Sequence, residues 1–432
     1  MSGQRLRVAV LGAGTVGREV VRAFQTHSER LVVAGGPRLE LIGVAVRRLA
    51  AARDDGIDAG LLTDAPAHLV ASPDTDVVVE LIGGDEPART LIAAALGAGK
   101  SVVTANKHVI AHHGPALEAI ARRTGAALRF EAAVGGGIPI LGPLAGELAA
   151  NRIDRVRGIL NGTTNYILSA MAADGRQYGE ALAAAQAAGY AEADPAGDVE
   201  AADASNKLAI LCRLAFGAWP DPGRIVRRLP AVVGDGPPGI TGVTVDAIAG
   251  AAELGGTIKL IADARRLPDG RVAVSVLPTI VPLADPIGRT SGVTNRIEIR
   301  GDPIGSVAFS GPGAGGAATA SAVLGDVLAI ARGSGSTWAG LPPAAQAEPD
   351  TLTGPPNSAP DRGWFAVLPG HLRTLPPGKG QRKGQSRTAL TSGGTAVQLS
   401  QVSLTDVLAR LRAAGAPDEV VVFPADERAA GR

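Results

Sequence analysis

From Arg7 to Phe130 the apolar positions come in short β-branched runs that do not alternate with polar ones, among them RVAVL, ELIGVAV, DVVVELI and SVVT. A strand with one wet face alternates with period two, so unbroken runs of this kind predict strands covered on both sides, as in a parallel sheet flanked by helices. Strands are expected at 7–12, 39–46, 76–82, 101–104 and 127–132, with helices near 15–26, 87–97 and 115–124 between them. That alternation is the rhythm of a doubly wound α/β domain. From 131 to 304 longer Ala-rich helical stretches and separate strands, including SVLPTIV (275–281) and RIEIRG (296–301), predict a second, α+β domain.

Residues 305–332 read as strand, Gly-rich turn and helix, and are expected to rejoin the first sheet, which makes the first domain discontinuous. The expected division is therefore 1–130 plus 305–335, then 131–304, a Gly/Pro/Ser-rich linker at 336–363, and a small α+β segment at 364–432. That last segment contains WFAVL, TAVQL, the helical LTDVLARLRAAG and EVVVFP, and a core cut at residue 340 is expected to fold without it.

The length of 432 residues fits two or three domains, and 46% hydrophobic content supplies their cores. Lys and Arg number 42 against 41 Asp and Glu, so no charge excess exists to hold a polyanion or an anionic membrane. Nucleic acid and membrane are not expected partners. The single cysteine, Cys212, rules out an internal disulfide and a thiolate metal cluster; its setting in LAILCRLAF reads as core, which counts against nucleophilic-thiol chemistry. With no apolar stretch near the roughly 18–20 residues of a membrane span, a cytoplasmic home is expected.

Gly12-Ala-Gly14-Thr-Val-Gly17 follows a strand and opens a helix, the context in which this motif signifies a dinucleotide. Gly12 allows the tight turn, Gly14 lets backbone approach a pyrophosphate, and Gly17 lets helix lie on strand; Thr15 and Val16 belong to the same loop. The second strand runs into Arg47-Arg48 where a carboxylate would grip a ribose hydroxyl, so NADP is favoured over NAD unless both arginines form a solvated turn. Lys107, in Val103-Thr-Ala-Asn-Lys107 at a strand's carboxyl end, faces cofactor or substrate, or is a plain surface lysine. Glu131-Ala-Ala-Val134-Gly-Gly136-Gly-Ile138 either converges carbonyls on Na⁺ or K⁺ or is a simple glycine loop.

The segment from Gly189 to Lys207 is the richest in chemistry: Glu192, Asp198, a good helix cap, and Asp203 with Lys207 four residues on, one face of a helix. When hydride reaches a carbonyl carbon, charge builds on oxygen, and a positioned ammonium stabilises it and delivers a proton. Lys207 is suited to that task with Asp203 fixing it, leaving Glu192 for a substrate ammonium group and Asp198 to steady the loop or add to that polar, substrate-binding site.

LGAGTVG (11–17), TANK (104–107), EAAVGGGIPI (131–140), GILNGTTNYIL (158–168), GYAEADPAGD (189–198), DASNK (203–207) and GPGAGGAATASAVLGDV (311–327) together resemble homoserine dehydrogenases, in family order. The resemblance implies NAD(P)-dependent interconversion of L-aspartate 4-semialdehyde and L-homoserine, a step shared by threonine, methionine and isoleucine synthesis. It implies Lys207 as proton donor, Glu192 and Asp203 as substrate ligands, and Lys107 at the nicotinamide. It further implies Gly189, Glu192 and Gly315 near the cofactor, Glu131, Val134, Gly136 and Ile138 around a monovalent cation, mainly through main-chain carbonyls, and a homodimer formed through the middle domain. Members often have Gly where this chain has Ala201, and Ala-x-Lys or His-Lys where it has Ser205-Asn206-Lys207; these departures are expected on outer helical turns.

Overall fold

The β-branched runs pair as six parallel strands: β1 (Arg5–Leu11), β2 (Arg38–Ala45), β3 (Leu62–Thr63), β4 (Val77–Glu80), β5 (Ser101–Thr104) and β6 (Leu128–Arg129), in the order β3-β2-β1-β4-β5-β6. This is the strand order of dinucleotide-binding doubly wound sheets. A computed structural model describes residues 5–26, 31–34, 36–344, 363–372, 375–376, 386–391, 394–400 and 402–426. Its described residues form two units, one within Met1–Arg152, Ala209–Asp221 and Gly311–Gln346, the other within Ile153–Leu208, Pro222–Ser310 and Ala347–Arg432.

In the first unit Val8, Val10, Val77, Val79 and Val103 are fully buried, and the helices Thr15–Thr26 and Gly316–Ala331 add Val20, Val21, Val323 and Val327 to the same core. The helix expected from 115 begins at Lys107, because the Asn106 side chain accepts the Val109 amide (3.1 Å) and caps it. His112 and His113 therefore lie inside a helix. Part of the expected linker is ordered by the edge of the first sheet: the Ser336 and Thr337 hydroxyls accept the amides of Leu128 (3.0 Å) and Phe130 (3.2 Å), and Trp338 packs on Phe130. Residues 345–362 of that stretch lie outside the described residues.

The second unit holds β7 (Arg152–Ile159), a short ribbon of β8 (Arg228–Pro230) and β9 (Asp235–Pro238), then β10 (Gly256–Arg266), β11 (Val272–Pro282), β12 (Thr294–Asp302) and β13 (Gly305–Pro312). The C-terminal segment supplies β14 (Gly363–Pro369), β15 (Ser386–Leu390), β16 (Gly394–Leu399) and β17 (Phe423–Ala425). Apart from the ribbon these make one sheet, β13-β12-β7-β10-β11-β17-β14-β16-β15.

Two expectations change. The strand at 305–312 pairs with β12, its neighbour in sequence, instead of returning to the first sheet; the first unit resumes at Gly311, with the glycine loop and the helix after it. The C-terminal strands continue the second unit's sheet, since β17 pairs with β11 through Ala425 and Ile280. Arg157 on β7 strengthens that junction. Its guanidinium bonds Glu298 (2.8 Å), Asp285 (3.1 Å) and Asp426, the residue after β17. No helix of the described residues is long and apolar enough to cross a membrane.

Lys259 on β10 is a buried amine whose ammonium donates to Asn165 Oδ1 (3.0 Å) and Ser169 Oγ (3.2 Å). Burial lowers its pKa from 10.5 to about 8. Between those values the unfolded chain binds the proton and the folded chain does not, so this lysine makes stability rise with pH. Against Lys259→Met, the parent should therefore gain roughly 3 kcal/mol across that window, read as the difference between urea midpoints at each pH. Parallel stability curves would refute the assignment.

Candidate active site

In the first unit the glycine motif sits in the turn between β1 and the helix Thr15–Thr26. Gly12 has φ +100°, and a Cβ there would meet the Leu81 carbonyl at 2.6 Å; a Cβ on Gly17 would meet the Gly12 carbonyl at 2.0 Å. Both are confined to glycine. At Gly14, by contrast, a Cβ would meet nothing within 4 Å, so open space lies above the turn where the helix amides of Thr15, Val16 and Gly17 begin. The 311–316 loop closes on the same turn: Gly315 has φ +122°, and a Cβ on Gly316 would meet the Thr15 carbonyl at 2.8 Å. These residues fit a pyrophosphate. The Gly12 amide donates to Ala45 O (2.9 Å) at the end of β2, which sets Arg47 two residues from that hydrogen bond. Arg47 and Arg48 are exposed, and their side chains bond no described residue.

At the carboxyl ends of β4 and β5, buried Glu80 organises the backbone. One carboxylate oxygen accepts the amides of Ile82 (2.7 Å) and Gly83 (3.1 Å), and the other accepts the Thr104 hydroxyl (2.6 Å). Thr104 in turn accepts the Asn106 amide (2.9 Å), and the Asn106 side chain donates to Gly84 O (2.8 Å). Half-buried Lys107 follows as the first residue of its helix. Sequence reasoning singled out Lys107 and missed Glu80, which carries no motif signal of its own.

In the Glu131 loop the side chain is already engaged. Its carboxylate accepts the amides of Ile140 (2.6 Å), Leu141 (2.8 Å) and Gly142 (2.6 Å), so the side chain caps a short helix. Burial, then the nearby Asp326 charge, pushes the Glu131 carboxyl up. What remains for a cation is main chain. Val134, Gly136 and Ile138 are buried, and their carbonyls accept no hydrogen bond from any described residue. Unsatisfied buried carbonyls fit a weakly polarising ion. Among the described residues no group of three or more His, Cys, Asp or Glu side chains could hold a metal ion.

The second unit brings Asp198, Asp203 and Lys207 together. Lys207, 8% exposed, donates to Asp203 Oδ2 (2.8 Å) and to Leu160 O (2.8 Å). An ammonium has three hydrogens, and the third finds no acceptor among the described residues. Asp198 lies in the short helix Ala196–Val199 and caps nothing; its carboxylate accepts Asn161 Nδ2 (2.7 Å), which also donates to Asp203 Oδ2 (2.9 Å). Burial, then the Asp203 charge, pushes the Asp198 carboxyl up, opposed by Asn161 and Lys207. Two carboxylates against one ammonium leave a single negative charge to offer a cationic group. Chemically the cluster presents a buried proton donor beside two carboxylates.

Glu192 and Gly189 also belong to the second unit but lie outside this hydrogen-bonded cluster: the Glu192 side chain is exposed and bonds no described residue, and Gly189 has φ +75°. Ala201 precedes the helix Ala202–Phe216 in the left-handed conformation, φ +68°, where a Cβ costs about 1 kcal/mol. Ser205 is buried, its hydroxyl donating to Ala201 O (2.8 Å). Neither sits on an outer turn. Asn161 escaped the sequence reading, although Asn-Gly-Thr-Thr directly after a strand is a helix-capping pattern.

Residues 12–131 match the family described as homoserine dehydrogenase, NAD binding domain, and residues 139–328 match that described as homoserine dehydrogenase. The homoserine dehydrogenase of Mycobacterium tuberculosis is 45% identical over 329 residues, 75% of this chain and 72% of its own. A crystal structure of a homoserine dehydrogenase from Thiobacillus denitrificans superposes with TM-score 0.85 at 32% identity over 99% of each chain. A mutant hyperthermophilic archaeal homoserine dehydrogenase in complex with NADPH gives 0.63 at 27% identity, over 76% of this chain and 97% of its own. With its coenzyme turn in one unit and its buried lysine in the other, the chain belongs to the homoserine dehydrogenase family of NAD(P)-dependent oxidoreductases.

Proposed function

We propose that this family member interconverts L-aspartate 4-semialdehyde and L-homoserine with NADP(H), and that Lys207 exchanges the proton at the substrate oxygen. The observation that carries the reading is the buried Lys207 ammonium, held by Asp203 and Leu160 with one N–H left to give. When bound, the reduced coenzyme supplies a hydride to the aldehyde carbon. Lys207 stabilises the charge that builds on oxygen and passes it a proton; in the oxidative direction its neutral amine takes the proton back. Asp203 restrains the amine. Asp198, Asp203 and Glu192 attract the substrate ammonium, and Lys107 serves the nicotinamide side.

Gly12, Gly14, Thr15, Val16, Gly17 and Gly315 hold the coenzyme in this reading, joined by Gly189 and Glu192 as the family resemblance implies. The first unit is then the coenzyme domain and the second the substrate and dimer domain. A Na⁺ or K⁺ ion would be held by the main-chain carbonyls of Glu131, Val134, Gly136 and Ile138, supported by the unmet carbonyls of three of them. The homodimer rests on the resemblance alone.

The coenzyme assignment rests on Arg47. Turnover of homoserine, followed by the absorbance of reduced nicotinamide, should favour NADP, and Arg47→Ala should weaken NADP about ten- to hundredfold while NAD changes little. Equal losses with both coenzymes would remove Arg47 from phosphate recognition.

A further inference from the structure

Residues 160 and 161 touch all three charged groups of the second unit's cluster: Leu160 through its carbonyl to Lys207, Asn161 through one nitrogen to Asp198 and Asp203. We propose that Asn161 is a positioning residue, its shared carboxamide nitrogen setting the spacing of Asp198 and Asp203 and through Asp203 the aim of Lys207. This deepens the reading of Lys207 as the proton donor and rests on it.

The carboxamide has one workable orientation. Its Oδ1 accepts the Thr164 amide (2.8 Å) and hydroxyl (2.9 Å), and its two N–H groups meet one carboxylate each. Flipping the group would set oxygen against two carboxylates and NH₂ against the Thr164 amide, which can only donate. The backbone beneath is equally constrained, since a Cβ on Gly162 would meet the Val293 carbonyl at 2.7 Å. Asp203 Oδ2 accepts from Asn161 and from Lys207, so moving the amide moves the counter-ion of the amine. A neutral double donor between two carboxylates also lets both stay charged. The groups facing Asp198 are Asp203, Lys207, Asn161 and Thr163, and Asn161 is among those that draw its proton affinity down.

Asn161→Asp separates this role from the helix cap. It keeps an oxygen for the Thr164 amide, so the cap survives, but replaces the shared donor by a third carboxylate. The full-length variant should bind NADPH as the parent does, while its stability falls at neutral pH because three carboxylates now meet. Its kcat/KM for homoserine should fall about ten- to hundredfold, and the acid limb of its pH profile should move upward by about one unit or more. Asn161→Ser, which keeps a capping hydroxyl without new charge, should move the limb the same way by less, and carries the test if the Asp variant does not fold. Folded variants with the parent's pH limb and kcat/KM would overturn the proposal, as would a rate loss with an unmoved limb. Lys207→Ala distinguishes the layers: if it keeps a tenth or more of the parent's kcat, the underlying reading fails; if its kcat falls by about three orders of magnitude while both Asn161 variants behave as the parent, only the positioning role fails.

Discussion

Replacing Lys207 by alanine should lower kcat by about three orders of magnitude while NADPH binding changes little. The size follows from what one group is asked to do. A positioned general acid contributes about 10² to 10⁴ in rate, and a donor aimed at a developing oxyanion a similar factor. Lys207 serves both ends in the proposed reaction, and nothing else in the cluster carries a proton so placed: Asp203 and Asp198 are its acceptors or neighbours, and Asn161 is a neutral amide. The variant also leaves Asp203 buried with only part of its compensation, so its melting temperature should be measured beside its kinetics. NADPH affinity, read by quenching or calorimetry, is the control, because the glycine turn belongs to the first unit and Lys207 to the second. A variant that keeps a tenth of the parent's kcat would disqualify Lys207 as the acid.

Cutting the chain after residue 344 should abolish recovery of soluble, folded protein. The sequence suggests a dispensable tail behind a linker; the sheet says otherwise. The cut removes β14 to β17, turns β11 into an open edge and takes Asp426 from Arg157. It also uncovers the helix Val245–Glu253, where a Cβ on Gly250 would meet Ala396 at 2.7 Å and Phe365 at 3.3 Å, and it strips the packing around Val232. Each large apolar side chain that the cut exposes to water costs on the order of 1.5–3 kcal/mol against a total stability of about 5–15 kcal/mol. A bare strand edge invites aggregation as well. Expression of the truncated chain, with gel filtration and thermal unfolding, decides the matter; a monodisperse product melting like the parent would show the tail to be an appendage.

How much of this was legible beforehand varies by element. The first sheet was readable because the inner positions of parallel strands buried on both faces are apolar without alternation, as Val77, Val78 and Val79 in one strand and Val102 and Val103 in another are. The helix from Lys107 was half hidden, since Gly114 and Pro115 interrupt its apolar period and only the Asn106 cap marks its start. Lys207 and Asp203 were found because both lie on one helix, four residues apart. Asn161 was not, because its bonds reach 37 and 42 residues along the chain and no local pattern encodes them. The Glu131 loop was read as converging main-chain carbonyls on a cation, and only the fold shows the carboxylate itself occupied by three amides.

By itself the sequence determined the glycine turn, the buried strands around it and the helical pairing of an acid with a lysine, since each is set by residues within a few positions of one another. Only the tertiary structure decided that β13 stays with β12, that the C-terminal strands complete the second sheet, and that one asparagine joins two distant carboxylates. Those outcomes depend on hydrogen-bond partners and apolar faces brought together across long stretches of chain, where the gain appears only once the whole sheet has closed.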